Sequence, residues 1–172
     1  MSFSNTLIYW YLQNNRDLPW RKSKNPYFIW LSEVMLQQTR VAQGLSYYLA
    51  FTETFPTVFD LAKADESTVL KMWQGLGYYS RARNLHFTAK YIAHELNGEF
   101  PSSFKEIVKL KGIGDYTASA ISSICFDEVA AVVDGNVYRV LSRYYGIHTS
   151  TNSSAGIKEF KALAQSLIDP TE

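Results

Sequence analysis

Stop signals divide this chain more clearly than any other pattern in it. Pro19, Pro26, Pro56, Gly75 and Gly77, Asn97-Gly98, Pro101 and the pair Gly112 and Gly114 cut its 172 residues into short pieces. Proline breaks or opens a helix and glycine closes one. The pieces between the stops carry helical rather than alternating spacing of apolar residues. Leu7, Ile8, Tyr11 and Leu12 mark a first amphipathic stretch, with Ser4 or Asn5 as its cap. Residues 15–25 form a polar connection. Pro26 then opens a largely buried helix over 27–38. Further helices are expected over 41–55, from the Thr57 cap through Ala62, over 66–74 behind Asp65, and over 80–96, 104–110, 116–126, 136–145 and 155–168. Val129 to Val133 is the one strand-like run. Many short helices joined by short loops predict an all-α globule.

The length allows one ordinary core or two small lobes sharing a cleft. Nearly half the residues are apolar (47%) and 19% are charged, a globular composition. No apolar run is long enough to cross a bilayer. The start, Met1-Ser2-Phe3-Ser4-Asn5, lacks the basic and apolar regions of a signal peptide. A single cysteine, Cys125, excludes an internal disulfide and a thiolate metal cage, and a reducing, intracellular setting is the simplest reading. The net charge is only +1, whereas duplex-DNA binders carry a basic stripe. The basic residues are nevertheless clustered: Arg16, Arg21, Lys22 and Lys24; Arg81 and Arg83; Lys105, Lys109 and Lys111. Ordinary solvated charge explains any one of these clusters equally well.

Leu110-Lys111-Gly112-Ile113-Gly114 lies between two helical patterns. Two glycines one residue apart permit a tight turn with outward amides, and the next helix adds the positive end of its dipole. Such a concave site takes an anion, and a DNA phosphate fits it without base readout. A plain helix–helix turn is the simpler alternative. The longer string, through Asp115-Tyr116-Thr117-Ala118, resembles the helix–hairpin–helix of the endonuclease III superfamily of DNA glycosylases. That family usually has proline where Lys111 stands.

Glu33 follows Ile29 and Trp30 and precedes Val34, Met35 and Leu36. Apolar surroundings penalise a carboxylate and favour the neutral acid, which can donate a proton near pH 7. The plain alternative is a Glu on the exposed stripe of an amphipathic helix. Three strings then point the same way: Leu18-Pro19-Trp20-Arg21 with Asn25-Pro26-Tyr27; Ser32-Glu33-Val34-Met35-Leu36-Gln37-Gln38-Thr39-Arg40-Val41; and Trp73-Gln74-Gly75-Leu76-Gly77-Tyr78-Tyr79-Ser80-Arg81-Ala82-Arg83-Asn84-Leu85. With Val133-Asp134-Gly135-Asn136-Val137-x-Arg139-Val140, they resemble the adenine DNA glycosylase (MutY) branch of that superfamily. The likeness runs from about residue 7 to the last residue, in the family's order.

The resemblance implies a two-lobed helical fold. A six-helix barrel containing the hairpin would occupy 21–126, and a second, incomplete lobe 1–20 and 127–172. It implies a monofunctional glycosylase of base excision repair that removes adenine paired with 8-oxoguanine or guanine in double-stranded DNA. Glu33 would protonate adenine N7. Asp134, otherwise a simple N-cap, would stabilise the oxocarbenium ion, with Asn136 holding it and Tyr116 behind. Bifunctional relatives place lysine at the position of Tyr116, and tyrosine forms no imine. Arg16, Trp20 and Leu36 would line the adenine pocket. Gln38, Thr39, Leu76 and Tyr78 would meet the opposite strand, with Leu76 on an exposed loop tip between its glycines, while Lys111, Gly112 and Gly114 would meet a phosphate. The family's 4Fe–4S cluster and its four cysteines would lie beyond residue 172, which reads as a partial chain with no metal or cofactor of its own. A monomer acting in the cytosol or nucleoid completes the expectation. Two alternatives stand: a mismatch thymine glycosylase of the same superfamily, which has no need of an acid aimed at purine N7, and a catalytically idle helix–hairpin–helix DNA-binding module.

Overall fold

The computed structural model describes residues 2–169, and among them it is all helix, with no strand. Ten α-helices follow in order: α1 (Phe3–Asn14), α2 (Pro26–Leu36), α3 (Val41–Thr54), α4 (Val58–Lys63), α5 (Glu66–Met72), α6 (Tyr79–Glu95), α7 (Phe104–Ile107), α8 (Asp115–Phe126), α9 (Gly135–Tyr145) and α10 (Ser154–Leu167). A 3₁₀ turn, Pro19–Lys22, interrupts the connection before α2.

Local chemistry sets most of these limits. Asn25 caps α2 through the Tyr27 N–H at 2.9 Å, and Pro26 takes the first helical position. Thr57 and Asp60 form a reciprocal capping box on α4. Several boundaries and one cap differ from expectation; α7, for one, ends at Ile107 rather than at 110. The first helix starts at Phe3, because Ser2 accepts the Asn5 N–H. The α2 helix stops at Leu36, two residues early, because Gln38 turns left-handed (φ 54°). Asp65 stands at the N-cap of α5 but makes no side-chain capping bond.

A helix apolar all round must be buried, and α2 is the axis of the larger lobe, packed against α3, α6 and α8. Trp30, Leu31, Met35, Phe51, Leu61, Trp73, Leu85, Ile92, Ile107 and Ile121 are fully buried around it. This lobe runs from α2 to α8, with the single turn α7 opening the hairpin. Its core also takes in Leu18 and Trp20, ahead of the expected boundary. A separate small cluster of Leu141, Phe160 and Ala164 joins α9 and α10 to Phe3 of α1. Ser4 Oγ donates to the Leu167 carbonyl, tying the chain's two ends together. Otherwise α1 buries nothing: Trp10 is 59% and Leu12 69% exposed.

The strand-like run 129–133 forms no strand. The side-chain amide of Gln165 serves instead, accepting the Ala131 N–H at 2.9 Å and donating to the Val129 carbonyl at 2.8 Å.

Candidate active site

Glu33 projects from the C-terminal half of α2, Tyr116 from the first turn of α8, and Asp134 caps α9. The three line one cleft of about 610 Å³ between the lobes, together with Leu36, Gln38 and Tyr78. Glu33 and Leu36 also form a wall of a second cleft of about 590 Å³, lined by Arg16, Trp20, Ile29, Ser32 and Ile124. One carboxyl therefore faces both spaces.

Burial pushes the Glu33 carboxyl up to about 7, so a large fraction is neutral at neutral pH. The same desolvation raises the Tyr116 hydroxyl to about 12, helped by the negative charges of Glu33 and Asp134 on either side. Tyr116 thus stays protonated at neutral pH. Asp134 is held firmly: its Oδ1 accepts the N–H groups of Asn136 (2.9 Å) and Val137 (2.8 Å), and the Asn136 amide donates to Oδ2 at 3.3 Å. One oxygen serves the cap, and the other keeps lone pairs for the cleft.

Of the pocket residues, Trp20 is buried edge-on against Tyr48, with ring centroids 5.1 Å apart. Leu36 is half-buried, and Arg16 lies at the rim with its carbonyl accepting from Arg21 at 3.1 Å. Gln38 and Tyr78 are exposed, and both are left-handed non-glycine residues (φ 54° and 47°). Thr39 is half-buried. Leu76 corrects the expectation of an exposed tip, being only 6% exposed and part of the larger core. The loop is drawn inward by Tyr47 Oη on the Gln74 carbonyl (2.8 Å), Gln43 on that of Gly75 (3.1 Å) and the Trp73 indole on that of Gly77 (3.0 Å).

The hairpin residues stand outside the cleft. Gly112 has φ +81°, and a Cβ there would lie 2.6 Å from that of Asn84, so glycine is required. Gly114 precedes α8 without left-handed geometry. Lys111 is exposed, its ammonium 4.3 Å from the Phe87 ring centroid, and its carbonyl accepts from Thr88 at 2.8 Å. The turn therefore closes without proline.

The expected basic faces are partly neutralised. Lys22 pairs with Asp17 (2.8 Å) and Lys24 with Asp127 (2.7 Å). Arg81 turns inward, where its guanidinium meets main-chain carbonyls of α2 and of the 76–77 loop. Sequence reasoning placed it among surface charges and missed it as part of the cleft. Ser32 and Ile124 of the second cleft were likewise missed, because only packing brings α8 beside α2.

The residues do not suit an iron–sulfur cluster. Cys125 is the only cysteine in the chain, and burial raises its thiol to about 11, away from the thiolate a metal needs. Among the described residues no group of three His, Cys, Asp or Glu side chains could hold a metal ion. Nor is any described helix long and apolar enough to cross a membrane.

Residues 31–166 match the family model described as HhH-GPD superfamily base excision DNA repair protein. The chain is 45% identical to the adenine DNA glycosylase of Rattus norvegicus, over 98% of this chain and 34% of that protein. It is 47% identical to that of Buchnera aphidicola subsp. Baizongia pistaciae, over 85% of this chain and 42% of the relative. It thus spans well under half the length of these curated relatives. Among solved structures, a thermostable thymine-DNA glycosylase superposes with a TM-score of 0.88 at 30% identity, covering 98% of this chain and 77% of that one. A trapped endonuclease III–DNA covalent intermediate superposes with a TM-score of 0.78 at 22% identity, covering 99% and 80%.

Proposed function

We propose, from the premise that this chain belongs to the HhH-GPD superfamily of base excision DNA repair proteins, that it is the catalytic part of a monofunctional adenine DNA glycosylase. The substrate is duplex DNA with adenine opposite 8-oxoguanine or guanine. The observation that carries this reading is a half-buried acid, half-neutral near pH 7, sharing one cleft with a fixed carboxylate.

The steps follow from those groups. Adenine leaves the stack and enters the space beside Glu33, against Trp20 and Leu36. The Glu33 carboxyl gives its proton to N7. The C1′–N9 bond breaks with its electron pair on the base, which departs as neutral adenine. Asp134, held by Asn136 and the start of α9, faces the cationic C1′. Tyr116 donates to the acids and offers no amine, so the sugar stays intact. Water adds at C1′ and returns a proton to Glu33. The Gly112–Gly114 turn and the N-terminus of α8 hold a phosphate of the same strand. Gln38, Tyr78 and Thr39 meet the opposite strand, and Leu76 supports them from beneath. The protein works as a monomer in a reducing intracellular compartment. A 4Fe–4S cluster in a longer form of the protein would draw its thiolates from beyond residue 172.

Likeness to the thymine-DNA glycosylase favours a second reading, removal of mispaired thymine. Labelled duplexes separate them in single-turnover assays. Strand scission of the adenine·8-oxoguanine duplex, seen only after hot alkali, is expected. Scission of a thymine·guanine duplex instead would establish the second reading. Scission of the adenine duplex without alkali would contradict the monofunctional step.

A further inference from the structure

The last turn of α2 leaves carbonyls without partners inside the helix. Arg81, from α6, supplies them. Its Nη1 donates to the carbonyls of Val34 (2.9 Å), Met35 (3.1 Å) and Gln37 (2.7 Å), and its Nη2 to those of Leu76 (3.0 Å) and Gly77 (3.2 Å). The carbonyls of Gln37 and Gly77 immediately precede the two left-handed residues of the cleft, Gln38 and Tyr78. One planar guanidinium thus fixes both peptide planes on which these exposed side chains turn. It also lies between rings, 5.2 Å from the centroid of Trp73 and 5.8 Å from that of Tyr78. Its Nε is buried without a partner. An interior location maintained despite that unmet donor gives the fork a positioning role rather than a solvated one.

We propose that Arg81 is a positioning residue for partner-base recognition: it clamps α2 to the 76–78 loop so that Gln38 and Tyr78 stand together against the strand opposite the excised base. The proposal rests on the adenine glycosylase reading. Lysine cannot replace the fork, because its donors sit on one atom.

The test compares Arg81→Lys with the wild-type protein in two ways. Hydrogen exchange of the free proteins should show faster exchange at 37–39 and 76–79, with the α3 and α6 cores unchanged. Single-turnover excision should fall roughly tenfold more for adenine opposite 8-oxoguanine than for adenine opposite an abasic analogue, which offers no base to read. In a Gln38→Ala, Tyr78→Ala background, Arg81→Lys should change that ratio no further. Unaltered exchange, equal loss on both duplexes, or a full further loss in the double-alanine background would each overturn the proposal. If Arg81→Lys does not fold, wild-type exchange decides: amides at 39 and 76 as fast as those in the 147–152 loop would overturn the clamp, and core-like protection would support it. A wild-type protein silent on both duplexes would sink the adenine reading and the recognition role with it, while exchange would still report the clamp separately.

Discussion

Glu33 carries a cost that its proposed chemistry requires. Burial raises its carboxyl from 4.5 to about 7. The unfolded chain therefore ionises this group before the folded one does. The folded state binds the extra proton between those two values, so stability is lost as pH rises from 4.5 to 7 and the loss is constant above. Glu33→Gln should accordingly be more stable than the wild type at pH 8, by up to about 3 kcal/mol, and equal to it near pH 4. Urea unfolding midpoints at the two pH values measure this, and an equal midpoint at pH 8 would mean that the acid is solvated. Tyr116 makes the second residue-scale prediction. It lines one cleft with the two acids, where an amine would reach C1′, so Tyr116→Lys should yield a borohydride-trapped adduct with substrate DNA, and absence of that adduct would argue against the geometry. Glu33 was legible because its neighbours in sequence are apolar. Leu76 was not, because the groups that draw its loop inward are Tyr47 and Gln43, some thirty residues away in the chain.

Elements were legible wherever a cap or a stop lies within a few residues. Asn25-Pro26 and the Thr57–Asp60 box set their helices as local rules dictate. The hairpin follows the same logic with one non-local condition, the close approach of Asn84 to Gly112. Gly112→Ala combines that contact with an unfavourable positive φ. It should lower stability by about 1–3 kcal/mol and weaken duplex binding several-fold without shifting the pH profile. Calorimetry and a binding titration would read the two effects, and an unchanged binding constant would remove the turn from the DNA interface. The 129–133 run is strand-like in sequence because its valines are β-branched, but a side chain rather than a neighbouring strand meets its backbone. Gln165→Ala should therefore speed exchange of the Ala131 amide and cost about 1 kcal/mol, since both bonds are exposed to water. Unchanged exchange there would show that the segment holds itself.

At the scale of the molecule, the two acids belong to different cores. Glu33 stands on the axis of the larger cluster, and Asp134 stands where the extended run enters the smaller one. The cleft between them depends on packing that no local pattern encodes, which is why the family's ordered motifs, rather than periodicity, brought the acids together before the structure did. In the proposed mechanism the two lobes divide the chemistry: Glu33 would protonate the base from one side, and Asp134 would stabilise the sugar from the other. In the proposed mechanism everything turns on Glu33 delivering the proton. Single-turnover excision from an adenine·8-oxoguanine duplex, followed from about pH 5 to 9 with binding measured in the same samples, tests it most directly. The wild-type rate should fall as pH rises through about 7, and a Glu33→Gln variant should bind the duplex but be slower by about a hundredfold or more. A Glu33→Gln variant excising at the wild-type rate, with the wild-type pH profile, would contradict it.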